Sequence, residues 1–241
     1  LLTLTALLPL PVLLFIPIAI MLSRLYPWAG PDAESLEFQR HWLQPGFFLA
    51  RAAVCFIVWL GIAGIRLSAS PDADRGGPLA PVALILLVVT GSFAVMDWGM
   101  SVEPEWRSTS YGAIQLAFFL TSAMAAVLVL LPSETAEEFG SRTVSDLGKL
   151  LLVGIAGSAY MAFMQFLILW AGNEPDRVEW YVKRSTDGWG MVLVAAVVAG
   201  LLVPFFALIA SRVRHDRARL RIVAALVLCA LTLRALWLIV P

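Results

Sequence analysis

Arg51, Asp97, Gln165 and Arg234 are polar side chains set inside otherwise apolar runs of the chain. Asp97 closes the run from Leu79 to Trp98. A carboxylate within a span costs about 2.5–3.5 kcal/mol at the helix centre, and less near the interface, unless it is paired or hydrated. Two chemistries would account for it. In one, Asp97 forms an ion pair with Arg51 or Arg234 on the wall of a wet cavity, with Gln165 close by. In the other, it carries a proton, which requires a switchable pairing. The plainer alternatives are that each arginine snorkels separately to headgroups, and that Asp97 caps a helix end or is wetted by headgroup water.

Asp146 and Lys149 stand three residues apart where a fifth apolar run begins, and Tyr160 lies further along that run. Acid and base at this spacing read most simply as a helix cap with an i,i+3 pair. The functional reading is a cytoplasmic proton entry, and Tyr160 is a further proton-pathway or polar-pocket candidate. No catalytic residue set is evident. Cys55 and Cys229 both fall in apolar runs and form no C-x-x-C, so they read as small buried packing residues. His41 and His215 sit in polar loops, so the spans offer no axial ligands for a b-type haem. Electron carriers, if the protein serves any, are expected in partner subunits.

The elements that must position these groups are membrane spans. Hydrophobic residues make up 60% of the chain and charged residues 14%. Mean hydropathy is +0.85. This is the composition of a polytopic membrane protein, and an all-α transmembrane bundle follows. A formal net charge of zero implies no nucleic-acid partner. Seven runs are read as helices, at about 1–25, 47–67, 79–98, 110–131, 146–171, 188–210 and 220–240, together forming a single transmembrane domain. Pro9, Pro11 and Pro17 kink or break the first. Ser108, Thr109 and Ser110 are N-cap candidates for the fourth. Pro132 to Ser145 reads as an acidic solvated loop, and Gly172 to Asp187 as a polar one. The tryptophans fall mostly at run ends, as an interfacial belt, with Trp59 deeper.

Lys and Arg set the orientation. Arg212, Arg214, Arg217, Arg219 and Arg221 crowd one connector, and placing it in the cytoplasm puts Arg66, Arg75, Arg142 and Lys149 there too. Arg24, Arg40, Arg107, Arg177, Lys183 and Arg184 then face outward. In that orientation Arg51 lies about 6 Å, and Gln165 and Arg234 about 9 Å, inside the outer ends of their runs. With Asp97 they share one depth band, which points to a shared polar pocket in the outer leaflet.

Certain residues also carry a family likeness. Tyr26-Pro27-Trp28-Ala29 is followed by Gly46-Phe47-Phe48 with Arg51, then by Asp97-Trp98-Gly99-Met100-Ser101 with Pro104, Trp106, Ser108 and Thr109. Asp146-Leu147-Gly148-Lys149, Phe163-Met164-Gln165-Phe166, Trp170, Gly172-Asn173, Pro175 and Trp180-Tyr181 continue the order. Arg184, Gly188-Trp189 and Trp237-Leu238-Ile239-Val240-Pro241 complete it. The whole resembles the ActF subunits of alternative complex III, among the NrfD/PsrC-like membrane proteins.

The resemblance implies a helix bundle without metal cofactors in a bacterial inner membrane. Its complex would oxidise a quinol, menaquinol or ubiquinol, and pass electrons through iron–sulfur and c-haem subunits to cytochrome c or an oxidase. An ActC-like paralogue and lipids are the other implied partners. Quinone binding is ascribed to ActF-like subunits by similarity to ActC, and they are candidates for proton conduction. The family tends to have His where Glu105 stands and an aromatic where Arg107 stands. It also carries further helices before the Tyr-Pro-Trp-Ala region, so additional sequence is expected ahead of Leu1. Outside the family, the alternatives are a secondary transporter with Arg51 and Asp97 as substrate contacts, and a purely structural anchor.

Overall fold

The computed structural model describes residues 9–30, 41–68, 79–104, 106, 108–172 and 175–239. No strand occurs among them, and the protein is an all-α polytopic membrane bundle. The helices are α1 (Leu10–Ile20), α2 (Pro45–Ser68), α3 (Leu79–Trp98), α4 (Tyr111–Leu130), α5 (Ser133–Gly172), α6 (Pro175–Lys183), α7 (Trp189–Ile209) and α8 (Arg217–Ile239). Six stretches are long and apolar enough to cross a membrane: α2, α3 with its short extension to Val102, α4, the Gly140–Gly172 part of α5, α7 and α8. By contrast, α1 has 11 residues, about 16 Å of helix against a hydrocarbon core of about 30 Å. Pro9 precedes it and Pro17 lies inside it. After Met21 the chain continues as a single turn, Leu22–Leu25.

Contacts divide the chain into two compact units, Leu1–Gly112 and Ala113–Pro241. The first is built on aromatics. Phe15, Tyr26, Trp28, Phe48 and Phe56 are buried together, with Trp59 and Trp98 packed against them. Phe15 meets Phe56 edge-on at 5.3 Å and Trp98 at 4.9 Å between ring centroids, separations at which ring quadrupoles attract. Trp59 does lie within its span, where its indole donates to the Thr90 hydroxyl at 2.8 Å. On α3 only Ala94 and Asp97 are buried, whereas Leu84, Ile85, Val89 and Phe93 are exposed. The packed part of this helix is therefore the end that carries the acid.

The second unit packs α4, α5, α7 and α8 around Phe118, Leu151, Ile155, Leu208, Leu220 and Val227. Small residues let the helices approach, as is usual within a membrane. A Cβ on Gly200 would come 2.9 Å from the Ala230 methyl, and one on Gly154 would come 2.9 Å from the Thr121 hydroxyl. Residues Val198–Leu202 of α7 form a π turn two residues before Pro204. Proline has no N–H for the fourth carbonyl behind it and its ring crowds that carbonyl. The wider turn relieves both problems.

Three expectations need correction. Residues 133–145 are helical, not a loop, with one break at Gly140, whose φ of 73° and ψ of 162° lie outside helical space. Asp146 and Lys149 therefore pair inside α5 and not at its start. Within the polar stretch after Gly172, α6 forms a nine-residue helix. Of the two cysteines, Cys55 is buried but Cys229 is exposed on α8. Arg40, Arg75, Glu105 and Arg107 lie outside the described residues.

Candidate functional site

Asp97 is 4% exposed at the end of α3. Arg51, on the first part of α2, donates from Nε to its Oδ2 at 2.6 Å. The indole of Trp42, just before α2, donates to Oδ1 at 2.9 Å. Arg51 Nη1 in turn donates to the Trp42 carbonyl at 2.9 Å, closing a ring of three residues. The guanidinium carbon lies 4.1 Å from the Trp42 ring centroid and 4.5 Å from that of Phe47, so the charge is also held by two π faces. Arg51 Nη2 is buried and makes no hydrogen bond among the described residues. Of the two arginines that could serve Asp97, Arg51 does so.

The segment beyond α3 is tied down from the Tyr-Pro-Trp stretch. Tyr26 donates from its hydroxyl to the Trp98 carbonyl at 3.0 Å, and the Trp28 indole donates to the Ser101 carbonyl at 2.9 Å. Ser101 bonds back to the carbonyl of Asp97. Burial, then the nearby Asp97 charge, pushes the Tyr26 phenol up to about 12, so it stays a neutral donor at any physiological pH. Gly99 is required here, because a Cβ would lie 2.6 Å from the Tyr111 hydroxyl and 3.0 Å from the Val95 carbonyl.

Beside this ring of bonds lies a cavity of about 600 Å³ within the first unit. Trp42, Phe47, Phe93, Met96, Met100 and Trp106 give it an apolar wall, and Asp97, Ser101, Ser108 and Thr109 add polar atoms. The volume falls in the range of small-molecule sites, as does the pattern of a mainly apolar wall with few polar groups. Such a site suits an amphipathic ligand with an apolar body.

The remaining candidates lie in the second unit. Arg234 donates to the Gln115 side-chain oxygen at 2.7 Å and covers the Phe118 ring at 3.6 Å. Gln165 is half-buried on α5, and Tyr160 is 61% exposed there. Asp146 and Lys149 are both exposed and paired at 2.7 Å, an i,i+3 contact of small energetic weight. A second polar pair, Thr121 with Ser158, is fully buried at 2.9 Å. The Arg184 side chain is buried under Trp180 at 4.0 Å and donates to the Leu238 carbonyl at 3.4 Å, while the Arg184 backbone carbonyl accepts from the Trp237 indole at 3.1 Å. Trp28, Trp106, Trp180 and Trp237 are packed inside the units.

Trp42 and Gln115 were not singled out from the sequence. Gln115 was open to discovery, as an amide inside an apolar run about 6 Å from its near end. Trp42 looked like one more interfacial tryptophan, and nothing in its spacing announces a bond to Asp97. No protein-family model matches the chain, and no curated protein matches it.

Proposed function

We propose that this chain is an ActF-like membrane subunit of a quinol-oxidising complex of the alternative complex III type. In this reading it anchors partners that carry iron–sulfur clusters and c-type haem beside an ActC-like paralogue, in a bacterial inner membrane with the Arg212–Arg221 connector in the cytoplasm. The cavity beside Asp97 is its contact with the quinol pool, menaquinol or ubiquinol. The observation that carries the reading is the buried Asp97–Arg51–Trp42 assembly on the wall of an apolar cavity at the end of a span. Asp97 and Arg51 belong to the stretches that resemble the ActF pattern. The residues fit a quinol: a carboxylate accepts from a ring hydroxyl, and aromatic and thioether side chains take the ring and the start of its tail.

Two measurements test the proposal. Purified from its native membrane in mild detergent, the chain should bring with it subunits showing c-haem absorbance and iron–sulfur signals. Purification as a lone chain would overturn the complex reading. Within the complex, Asp97→Asn keeps the shape of the side chain and removes its charge. Quinol oxidation or its coupled proton release should fall while assembly survives. Normal turnover with normal proton release would show that Asp97 has no part in the reaction.

A further inference from the structure

The hydrogen-bond inventory around Asp97 holds two unequal ends. A carboxylate accepts and never donates, and its Oδ1 is served by the Trp42 indole N–H. A guanidinium donates and never accepts, and Arg51 Nη2 is buried with no acceptor among the described residues. Trp42 links the two, because its ring lies over the Arg51 guanidinium while its N–H occupies the carboxylate. Trp42 is also 42% exposed and lines the cavity. It is the member of the assembly with room to move.

We infer that Trp42 is a stand-in for a ligand hydroxyl, and that the cavity therefore selects the reduced form of a quinone over the oxidised form. This inference rests on the quinol reading above and deepens it. When the indole swings aside, Asp97 Oδ1, on the cavity wall, needs a new donor. A phenolic hydroxyl supplies one. A quinone carbonyl only accepts, and so leaves a buried carboxylate oxygen short of a bond. A site built to hydrogen-bond a hydroxyl discriminates sharply against an analogue lacking one. Trp42 is thus a specificity-determining residue, and its own bond to Asp97 competes with the ligand.

The test is binding to the full protein in lipid nanodiscs, under anaerobic conditions, with decylubiquinol and decylubiquinone as probes. Decylubiquinol should bind about tenfold more tightly or better, as expected for one buried hydrogen bond made or left unmade. Trp42→Phe keeps an aromatic ring and removes the N–H. It should tighten decylubiquinol several-fold and leave decylubiquinone unchanged. Asp97→Asn, whose amide both donates and accepts, should collapse the preference. Equal affinities in the unmodified protein would overturn the inference. So would a Trp42→Phe protein with unaltered decylubiquinol affinity, or 1-dodecanol competing as well as the quinol. Those results would leave the complex reading intact, whereas purification without redox partners would sink that reading and leave the affinity comparison standing.

Discussion

Removing Arg51 is the most informative perturbation of the first unit. Its side chain is 13% exposed and that of Asp97 5%, with 2.6 Å between Nε and Oδ2. Arg51→Met keeps much of the stem and abandons a carboxylate in the interior. Truncating one partner of a buried pair costs about 3–5 kcal/mol, because the other charge is left uncompensated. Asp97→Leu should cost a similar amount by abandoning the guanidinium, and it also leaves the Trp42 N–H without its acceptor. The double variant buries no uncompensated charge, so its cost should fall below about 2 kcal/mol, since apolar replacement of a buried pair is often near neutral. A double-mutant cycle of unfolding free energies in detergent or nanodiscs would then return a coupling of about 4 kcal/mol or more. The coupling should change little with added salt, since buried pairs are weakly screened. Additivity within about 0.5 kcal/mol, the behaviour of independent sites, would refute the claim that the pair is buried and mutually dependent.

Three more outcomes can be checked. Tyr26 releases its proton at its ordinary value of 10.0 when unfolded but holds it to about 12 when folded; the folded state binds more protons across that window, so melting temperature should drop from pH 10 toward pH 12. Tyr26→Phe should remove that share of the alkaline loss, at a cost of about 1 kcal/mol near neutrality for the bond to the Trp98 carbonyl. Gly154→Ala sets a methyl 2.9 Å from the Thr121 hydroxyl, and should destabilise by about 1–3 kcal/mol through overpacking, with Thr121→Ala restoring part of the loss in a thermal melt. A cysteine placed at position 215 should react with a membrane-impermeant maleimide only from the cytoplasmic side, and labelling from outside would reverse the orientation.

The spans were legible because their cause is local. Leu79 to Trp98 is predominantly apolar and is α3 to the residue, and Pro45 opens α2 at the position where a missing N–H costs nothing. The start of α5 was not legible, because polar composition argued for a loop while the chain from Ser133 is helical up to and beyond a break at Gly140. Within the site, the presence of Asp97 inside a span announced that it needed a partner, and depth alone nominated Arg51 beside Arg234. The third member, Trp42, follows from how the chain enters α2. That geometry is tertiary, so residue type could not reveal it. Arg234 shows the same limit, since its acceptor Gln115 lies 119 residues away in the sequence.

The π turn in α7 explains why one face of that helix stays buried from Ala196 to Leu208. Ala196 lies before the turn and Leu208 beyond it, and both are buried. Twelve residues separate them, and at about 100° per residue in an ideal α-helix Leu208 would sit about 120° around the barrel from Ala196. A π turn takes up one residue without the matching rotation, which reduces the offset to about 20°. The turn works as a phase corrector: it brings two out-of-step halves of an apolar pattern into line. Angular positions read from this stretch on a uniform 3.6-residue wheel would therefore be wrong on one side of Val198–Leu202. Deleting one residue there would straighten the helix without turning either half away from α8.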